Sequence, residues 1–351
     1  MRIAIDAMGG DNAPKEIISG ALEAIEKLSE DDEIILVGPE DQIEALLSSM
    51  KSRKGMISVV HAPDVIEMAE TPVESLRRKP KSSIAVLAKL AKRGQADAVI
   101  SAGNTGACVA AFQMRIRTLP GVVRPGIAVV FPTPGGPVTI CDVGANIACK
   151  PMHLYQYGVM AGIYSKHLFG IQNPRVGIMS IGEEEAKGNE LVKKTRDLIK
   201  ADKKMNFIGN IEGRDIFQGT CDVVICEGFV GNVILKLTEG LVEGLFKAIK
   251  HELMEEKIRL AMKFKPVMKR IYQKYDYNEY GGALLLGLNG TAIICHGSSQ
   301  SRTIKNAIMA SKRFYTERIN DKIVEYLSDS PNRSSVQSSQ TQGTAVRTTD
   351  E

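Results

Sequence analysis

The stretch IAIDAMGGDNAPKEIISGALEAIEKL, residues 3–28, indicates a β-strand, a glycine turn and a helix in succession. Four of the five residues at 3–7 are apolar and the fifth is Asp6, and the turn that follows contains Gly9, Gly10, Asp11 and Asn12. Glycine permits the positive φ angles and close backbone approach of a tight turn, while Asp and Asn supply short hydrogen-bonding side chains. The apolar spacing from 14 to 28 then predicts a helix. The chain therefore opens with a βα unit whose turn is suited to an anion.

The same pattern recurs twice within the first 150 residues. A strand-like run at 99–101 precedes Gly103 and Asn104, and another at 138–142 ends at Asp142 before Gly144 and Asn146. Ordinary βα turns also use Gly and Asn, so any one of these turns is compatible with a purely structural role. The three together favour a cradle for phosphate or a related oxyanion.

Strand and helix patterns alternate through the first two thirds of the chain. Strands are predicted at 34–38, 57–61, 98–101, 127–131, 138–142, 176–181, 207–209 and 223–227, and helices at 41–50, 82–93, after 105, 152–168 and 186–200. This alternation predicts an α/β fold, a Rossmann-like α/β/α sandwich with a mostly parallel sheet covered on both faces. In such sheets ligands lie outside the carboxyl ends of the strands, where the three turns fall.

The pattern changes after residue 227. Residues 229–275 are predicted to be helical, with Leu237, Leu241, Leu245 and Ile249 marking one buried stripe. Pro266 favours a helical hairpin, which we place at 247–275 within a single domain spanning 1–327. A last helix is predicted at 303–327, and the Ser/Thr/Gln-rich residues 328–351 are expected to form a disordered tail.

Composition narrows the protein class. The 351-residue chain has six cysteines, without CxxC or Cys/His metal spacing. This favours a reducing compartment and predicts no metal site. Carboxylates beside a bound phosphate could still hold Mg²⁺. No secretory signal precedes the first strand, and no apolar stretch reaches the roughly 20 residues of a spanning helix. We therefore expect a cytoplasmic protein that is soluble or bound to a membrane surface.

The usual signatures of cofactor and covalent catalysis are absent. The chain has no G-x-G-x-x-G after its first strand, no P-loop and no G-x-S-x-G elbow, and its five histidines are scattered. This predicts no nucleotide cofactor, no nucleic-acid partner and no side-chain nucleophile.

Two further loops follow predicted strands and enter helices. The first, 182–189, offers Glu183 and Lys187 to an anion, although a charged helix start would have the same composition. In the second, 227–236, Gly231 precedes Asn232 and Lys236, which are four residues apart and share one helix face; helix packing plus a surface lysine is the alternative. His296, at a predicted strand end, either faces a ligand or lies in the core.

Taken with their surroundings, these segments resemble the PlsX phosphate acyltransferases of bacterial phospholipid synthesis. The match is carried by IDAMGGDNAP (5–14), SAGNTGA (101–107), DVGAN (142–146), GEEEAKGNE (182–190), EGFVGNVILKLTEG (227–240) and YGGALLLGLNG…HGSS (280–299). The resemblance covers 1 to about 327. The loop around Leu284 and the polar tail depart from the family pattern.

The resemblance implies an activity, a fold and partners. The activity is transfer of a long-chain acyl group from acyl carrier protein to inorganic phosphate, giving an acyl phosphate for a downstream, membrane-embedded glycerol-3-phosphate acyltransferase. The fold is similar to isocitrate/isopropylmalate dehydrogenases and phosphotransacetylases, the assembly is a homodimer, and no cofactor is needed.

Phosphate is itself a nucleophile, so the missing Ser or Cys nucleophile agrees with this chemistry. A thiol with a pKa of about 8.5 leaves with little proton donation, and the protein must mainly position phosphate and stabilise an oxyanion. We assign Lys187 and the 103–106 turn to phosphate and Asn232 to the carbonyl oxygen, with Asp6, Asp11 and Asp142 orienting donors. The predicted site comprises Lys187, Asn104 and Asn232 as catalytic residues and Asp6, Gly9, Gly10, Asp11, Gly103, Thr105, Gly106, Asp142, Gly144, Asn146, Glu183, Gly231, Lys236 and His296 as substrate-binding residues.

The charge of the chain is concentrated in the predicted hairpin. Residues 247–274 hold nine Lys or Arg and three Glu, a net charge of +6, within a chain of net charge +4. The interleaved apolar residues are compatible with docking of the acidic acyl carrier protein. They are also compatible with contact with an anionic membrane surface, which would place the enzyme at the inner face of the cell membrane. A helix that faces the other subunit of a dimer is the third alternative. The predicted contacts are Lys257, Arg259, Lys263, Lys265, Lys269 and Arg270.

Two other functions remain open at this point. One is a phosphotransacetylase-like enzyme acting on acyl-CoA, and the other is a non-catalytic scaffold that recruits lipid-synthesis proteins to the membrane.

Overall fold

The computed structural model describes residues 1–50, 56–256, 264–271 and 277–333. The strands are β1 (Arg2–Asp6), β2 (Glu33–Gly38), β3 (Ile57–His61), β4 (Ala98–Ser101), β5 (Gly126–Thr133), β6 (Gly136–Cys141), β7 (Val176–Met179), β8 (Phe207–Ile211), β9 (Val223–Ile225), β10 (Ala283–Leu286) and β11 (Thr291–Ile294). The helices are α1 (Lys15–Ile25), α2 (Glu40–Ser49), α3 (Pro72–Arg78), α4 (Ser83–Lys92), α5 (Thr105–Ile116), α6 (Pro151–Phe169), α7 (Glu190–Ala201), α8 (Asp215–Gln218), α9 (Gly228–Glu256), α10 (264–271), α11 (Ser301–Thr316) and α12 (Ile319–Ser328).

The strands form one 11-stranded sheet in the order β3-β2-β1-β4-β11-β10-β5-β6-β9-β7-β8. Most neighbouring pairs are parallel, as predicted, but the three pairs β11·β10, β10·β5 and β5·β6 are antiparallel. The strands from β6 to β8 therefore run opposite to β1, β4 and β11. The turn after β6 does not share an edge with the turns after β1 and β4, which corrects the expectation that one edge carries all three.

The two halves of the sheet nevertheless end at a common row. Strands β4, β11, β6 and β9 all finish there, although they approach it from opposite directions. The row is defined by the pairs Ser101↔Ile294, Ile294↔Ala283, Leu284↔Ala128, Ala128↔Cys141 and Cys141↔Ile225. Loops that leave the carboxyl ends of both halves consequently meet near the middle of the sheet.

Helices cover both faces, as the alternation predicted. One core contains buried residues of α1, α6, α11 and α12, and the other contains residues of α4 and α5 together with the first turns of α9. The second face, between α5 and α9, positions the candidate site.

The apolar stripe of α9 is exposed, so the prediction that it is buried was wrong. Leu237 is 69 % exposed, Leu241 68 % and Leu245 56 %, and Phe229 and Val233 continue the same row toward the start of the helix. The period of four correctly indicates one helix face, but it does not say what covers that face. Nothing in the described chain packs on it.

The carboxyl-terminal region also differs from the prediction. The helix expected at 303–327 breaks into α11 and α12 at Arg318, whose φ angle is 53°. Ser330 and Asn332 are buried, because Ser330 hydrogen-bonds Tyr155 and Asn332 donates to the carbonyl of Leu198. The expected polar tail therefore starts too early at 328; residues 334–351 lie outside the described residues, as do 257–263 and 272–276 of the predicted hairpin.

Candidate active site

A cavity of about 110 Å³ lies between the start of α5, the second and third turns of α9 and the central strands of the sheet. Its polar lining comes from Thr105, Asn232, Lys236, Glu239 and His296, and its other wall is apolar. The apolar wall consists of Ile127, Val129, Val143, Leu235, Ala283, Ile294 and Cys295, with Gly282 beside them. Predicted residues from three separate segments thus meet at one cavity.

Two larger cavities, of about 620 and 580 Å³, lie elsewhere on the molecule. The first runs between α6 and α12, and the second borders the junction of α11 and α12. Neither contains any residue of the predicted site. We therefore assign the candidate site to the smaller cavity because of the residues that line it, although it is not the largest.

Lys236 and His296 face each other across the cavity. The Lys236 Nζ lies 3.5 Å from His296 Nε2 and 2.8 Å from Glu239 Oε2. On the other side of the ring, His296 Nδ1 lies 2.8 Å from the hydroxyl of Ser298. The backbone N–H of Ser298 also donates to Nδ1, at 3.3 Å, so Nδ1 accepts hydrogen bonds and the neutral ring carries its proton on Nε2, toward the cavity.

Asn232 and Thr105 present polar groups without partners among the described residues. Asn232 lies one helical turn before Lys236, and Thr105 is the first residue of α5. The first backbone N–H groups of a helix have no partner within it and carry partial positive charge. The start of α5, the Thr105 hydroxyl and the Lys236 ammonium are therefore suited to one anion, while Asn232 can donate to a neighbouring oxygen.

The amide of Asn104 is fully used by the protein. Its Oδ1 accepts from the N–H of Ala107 at 3.0 Å, which caps α5, and its Nδ2 donates to the carbonyls of Glu67, Met68 and Glu70 at 3.0–3.2 Å. The side chain is buried. Asn104, predicted to be catalytic, thus contacts backbone and places the segment 67–70 beside the start of α5.

Asp6 braces the turns after β1 and β4. Its carboxylate accepts from Ser101 Oγ at 2.7 Å and from the N–H of Met8 at 3.1 Å, and Ser101 Oγ in turn accepts from the N–H of Gly103. Burial raises the pKa of Asp6, and hydrogen bonds from Ser83 and Ser101 oppose that rise. Asp6 therefore orients backbone, as predicted for a supporting residue.

The glycines of these turns let three backbone segments touch. A Cβ on Gly9 would stand 2.6 Å from the N of Gly103, and one on Gly10, whose φ is 101°, would stand 2.8 Å from the O of Gly297. Asp11 donates its N–H to the same Gly297 carbonyl at 2.7 Å. The first turn consequently supports the His296 loop and does not line the cavity.

Asp142 holds the third turn, residues 142–146, together by accepting hydrogen bonds from its backbone. Its oxygens accept from the backbone N–H groups of Ile127, Gly144, Ala145 and Asn146 at 2.7–3.1 Å, while burial raises its pKa. The Asn146 amide donates to Asp142, to Tyr157 and to the carbonyl of Pro125. These donors point inward, so the turn acts as a support for α9.

Gly231 brings α9 against that support. A Cβ at Gly231 would lie 1.9 Å from the carbonyl oxygen of Asp142, and Gly144 lies close to Asn232. The third turn therefore sets the position from which Asn232 and Lys236 reach the cavity.

Lys187 and Glu183 stand apart from this cavity. Their loop follows β7, and β9 and β6 separate β7 from the central strands. The loop is fixed from behind by Asn210, whose Nδ2 donates to the carbonyl of Glu184 at 2.8 Å, and Glu183 pairs with Arg214 at 3.5 Å. Lys187 is exposed and does not line the cavity.

The cysteines are unsuited to nucleophilic attack. Burial raises the pKa of Cys108 and Cys295 to about 12 and of Cys149 to about 11, and it also holds the pKa of Cys141 and Cys226 well above the usual value of a thiol. Cys295 lines the cavity, yet its thiol remains protonated at neutral pH. Within the described residues, no group of three His, Cys, Asp or Glu side chains could hold a metal ion.

The basic segment is partly described. On α10, Phe264, Val267 and Ile271 are exposed along one face, and Lys265, Lys269 and Arg270 are exposed beside them. Lys257, Arg259 and Lys263 lie outside the described residues. No helix in the described part of the chain is long and apolar enough to cross a bilayer.

Sequence reasoning missed Glu239 and the apolar wall. Glu239 lies three residues after Lys236 on the same helix face, a spacing that could have revealed it. The wall residues come from strands whose neighbours depend on the sheet order, which periodicity does not provide.

Comparisons with known proteins identify the family of the chain. The profile of a family described as fatty acid synthesis protein matches residues 1–322. A phosphate acyltransferase of Thermodesulfovibrio yellowstonii is 47 % identical over 342 residues, covering 97 % of this chain and 98 % of the relative. One of Desulfitobacterium hafniense is 49 % identical over 315 residues, covering 89 % and 93 %.

The chain belongs to the PlsX phosphate acyltransferase family. The predicted resemblance is thereby confirmed, and the family relationship identifies the chain as an enzyme of the phosphate acyltransferase class. Solved structures of phosphotransacetylases share the fold of this family member. That of Streptococcus pyogenes has a TM-score of 0.62 at 16 % identity, covering 90 % of this chain and 94 % of its own, and the EutD phosphotransacetylase of Staphylococcus aureus has 0.57 at 16 %, covering 89 % and 93 %.

Proposed function

We propose that this phosphate acyltransferase transfers a long-chain acyl group from acyl carrier protein to inorganic phosphate, supplying acyl phosphate for phospholipid synthesis. The observation that carries the proposal is the convergence of Lys236, His296, Asn232 and the open start of α5 on one small cavity. The cavity combines a cationic side for phosphate with an apolar side for the acyl group.

The proposed reaction uses neither a cofactor nor an acylated side chain of the enzyme. A phosphate oxygen attacks the carbonyl carbon of the thioester, forming a C–O bond and a tetrahedral oxyanion. The oxyanion collapses, the C–S bond breaks, and the carrier thiol leaves as a thiolate or takes up a proton. The products are acyl phosphate and the free carrier thiol.

The polar residues divide this work. Lys236, Thr105 and the start of α5 hold the phosphate charge, and the Asn232 amide donates to the oxyanion. His296, whose ring Ser298 holds through Nδ1, presents its Nε2–H to phosphate beside the Lys236 ammonium. Oxyanion donors of this kind contribute roughly 2.7–4 kcal/mol each. Lys187 remains a second candidate for the phosphate charge, from the neighbouring loop.

Surface features support the choice of donor and location. The apolar face of α10 with its adjacent lysines suits contact with an acidic carrier protein and an anionic membrane surface. We propose a homodimer that covers the α9 stripe, and an enzyme at the inner membrane face that passes its product to a glycerol-3-phosphate acyltransferase.

A donor comparison tests this function. Purified protein is given acyl-acyl carrier protein or acyl-CoA with and without phosphate, and acyl phosphate is measured by mass spectrometry. We expect phosphate-dependent product with a much higher kcat/KM for the carrier-protein donor. A preference for CoA would favour the phosphotransacetylase-like alternative, and absence of product from both donors would favour the scaffold.

A second experiment separates the two roles of the basic surface. Lys265→Glu and Lys269→Glu are combined, and flotation with anionic liposomes is compared with carrier-protein kinetics. Loss of flotation alone would assign the surface to the membrane, and a raised donor KM alone would assign it to carrier docking. No change in either would remove this surface from the proposal.

A further inference from the structure

The segment 64–71 is irregular in conformation but strongly held. The Lys79 Nζ donates to the carbonyl of Val65 and to Glu70 Oε2, both at 2.7 Å, and Ser83 donates its N–H to the carbonyl of Asp64. Three further carbonyls of the segment converge on the single amide nitrogen of Asn104. These hydrogen bonds hold the segment in one position although it contains no helix or strand.

That position is at the phosphate end of the candidate site. Asn104 immediately precedes Thr105, which lines the cavity, and a Cβ on Gly106 would stand 2.6 Å from Pro72 Cγ. The segment and the start of α3 therefore pack directly on the first turn of α5.

Met68 is an exposed side chain of this segment that reaches the His296 loop. A Cβ on Gly297 would stand 3.2 Å from the Met68 methyl group, so Met68 lies against the residue that follows His296. Its side chain is nevertheless 48 % exposed, which leaves an apolar surface open beside the cavity. Methionine adapts its shape to flexible apolar ligands, and fixing its backbone removes part of the entropic cost of such a contact.

We propose that Met68 contacts the apolar part of the thioester donor next to its carbonyl, and that Asn104 is the positioning residue that presents Met68. The ligand class is a flexible chain carrying a thioester, either the start of the acyl chain or the pantetheine arm. This inference rests on the proposed function for its substrate. It assigns to Asn104 a role in donor binding through the segment 67–70 and not a contact with phosphate.

The test uses Met68→Ala and Asn104→Ser, because serine keeps a capping oxygen for α5 but loses the amide donor of the three carbonyls. Met114→Ala is the matched control, since Met114 is 68 % exposed on α5 and does not line the cavity. Binding of an acyl-pantetheine thioether, which cannot react, is measured by calorimetry, and KM values for donor and phosphate are measured separately.

We expect Met68→Ala to weaken thioether binding and raise the donor KM about tenfold, with the phosphate KM within about twofold of the original protein. Asn104→Ser should weaken thioether binding at least as much and speed amide hydrogen exchange in 64–71. Adding Met68→Ala to Asn104→Ser should then cost little more, because both act through one contact.

Thioether binding by Met68→Ala equal to that of Met114→Ala would overturn the inference, whatever the turnover. A raised phosphate KM in Asn104→Ser with unchanged thioether binding would also overturn it, by returning Asn104 to the phosphate. Absence of acyl phosphate with intact, Met68-dependent thioether binding would instead count against the proposed function alone.

Discussion

The ammonium of Lys236 lies 3.5 Å from Nε2 of His296, although 60 positions separate the two residues in the chain. Lys236 belongs to α9, which the third turn supports, and His296 follows β11, which the first turn supports. The contact therefore joins the two oppositely directed halves of the sheet, and the site is complete only when both halves are in place.

Removing the Lys236 charge should impair phosphate use. Lys236→Met keeps an unbranched side chain as far as Cε and removes the ammonium, and the half-exposed position predicts an intact fold. We expect kcat/KM for phosphate to fall about 10²–10³-fold in initial-rate measurements, as for loss of a donor that acts on developing charge. Lys27→Met, an exposed change far from the cavity, should be neutral. A Lys236→Met enzyme within threefold of the original would exclude Lys236 from the mechanism.

Adding one methyl group at Gly231 should displace α9. The new Cβ would meet the Asp142 carbonyl at 1.9 Å, and a backbone atom cannot move away cheaply. We expect Gly231→Ala to lower the free energy of unfolding in urea by about 1–3 kcal/mol or more and to reduce activity strongly.

Gly240→Ala is the control on the same helix, since a Cβ there meets nothing within 4 Å. It should leave activity intact and stabilise the helix by up to about 1 kcal/mol. Equal effects of the two substitutions would contradict the proposed support of α9.

Asp32 should contribute stability that depends on pH. Burial raises its pKa, but hydrogen bonds from Lys312 and Ser29 outweigh burial and hold the pKa well below its usual range. Because the folded pKa is lower than the unfolded one, this stabilisation is complete above about pH 4 to 5 and is lost as the pH falls.

Asp32→Asn should therefore lower the free energy of unfolding by about 2 kcal/mol at pH 7 and by much less near pH 3. Urea unfolding of both proteins at several pH values measures the difference. A difference that grew toward acid pH would contradict the assignment.

The exposed stripe of α9 should control assembly. Leu241→Glu places a charge within the stripe, and Lys247→Glu places one on the opposite side of the helix. We expect sedimentation to show a shift from dimer to monomer at micromolar concentration for Leu241→Glu only, since burying an unpaired carboxylate is costly. Dimers of unchanged stability in Leu241→Glu would place the interface elsewhere.

The fold was largely predictable because its signals are local. Alternating apolar runs and glycine turns indicated the mostly parallel sheet, and the helices at α1, α4, α5 and α6 fell close to their predicted positions. The hairpin of β10 and β11 was not foreseen, although a strand was predicted before His296. It enters the sheet between β4 and β5 from the far end of the chain, and the direction of the sheet reverses at the antiparallel pair of β5 and β6.

The sequence indicated many of the residues of the candidate site, but it did not indicate how they are arranged in space. Thr105, Asn232, Lys236 and His296, which were predicted as site residues, line one cavity. Asn104 and Asp142 instead satisfy backbone groups, because short polar side chains at turns serve neighbouring amides as readily as ligands. The role of Lys187 depends on the distance between its own loop, 182–189, and the loop at 227–236. A local sequence pattern does not encode that distance.

The most direct test of the central claim, that free phosphate is the nucleophile, is thiol release in the presence and absence of phosphate. Acyl-acyl carrier protein is mixed with the enzyme, and free thiol, acyl phosphate and intact enzyme mass are measured together. We predict no thiol burst and no gain in enzyme mass without phosphate, and equal amounts of thiol and acyl phosphate once phosphate is added. A stoichiometric burst of thiol without phosphate, with an acylated enzyme, would contradict the claim.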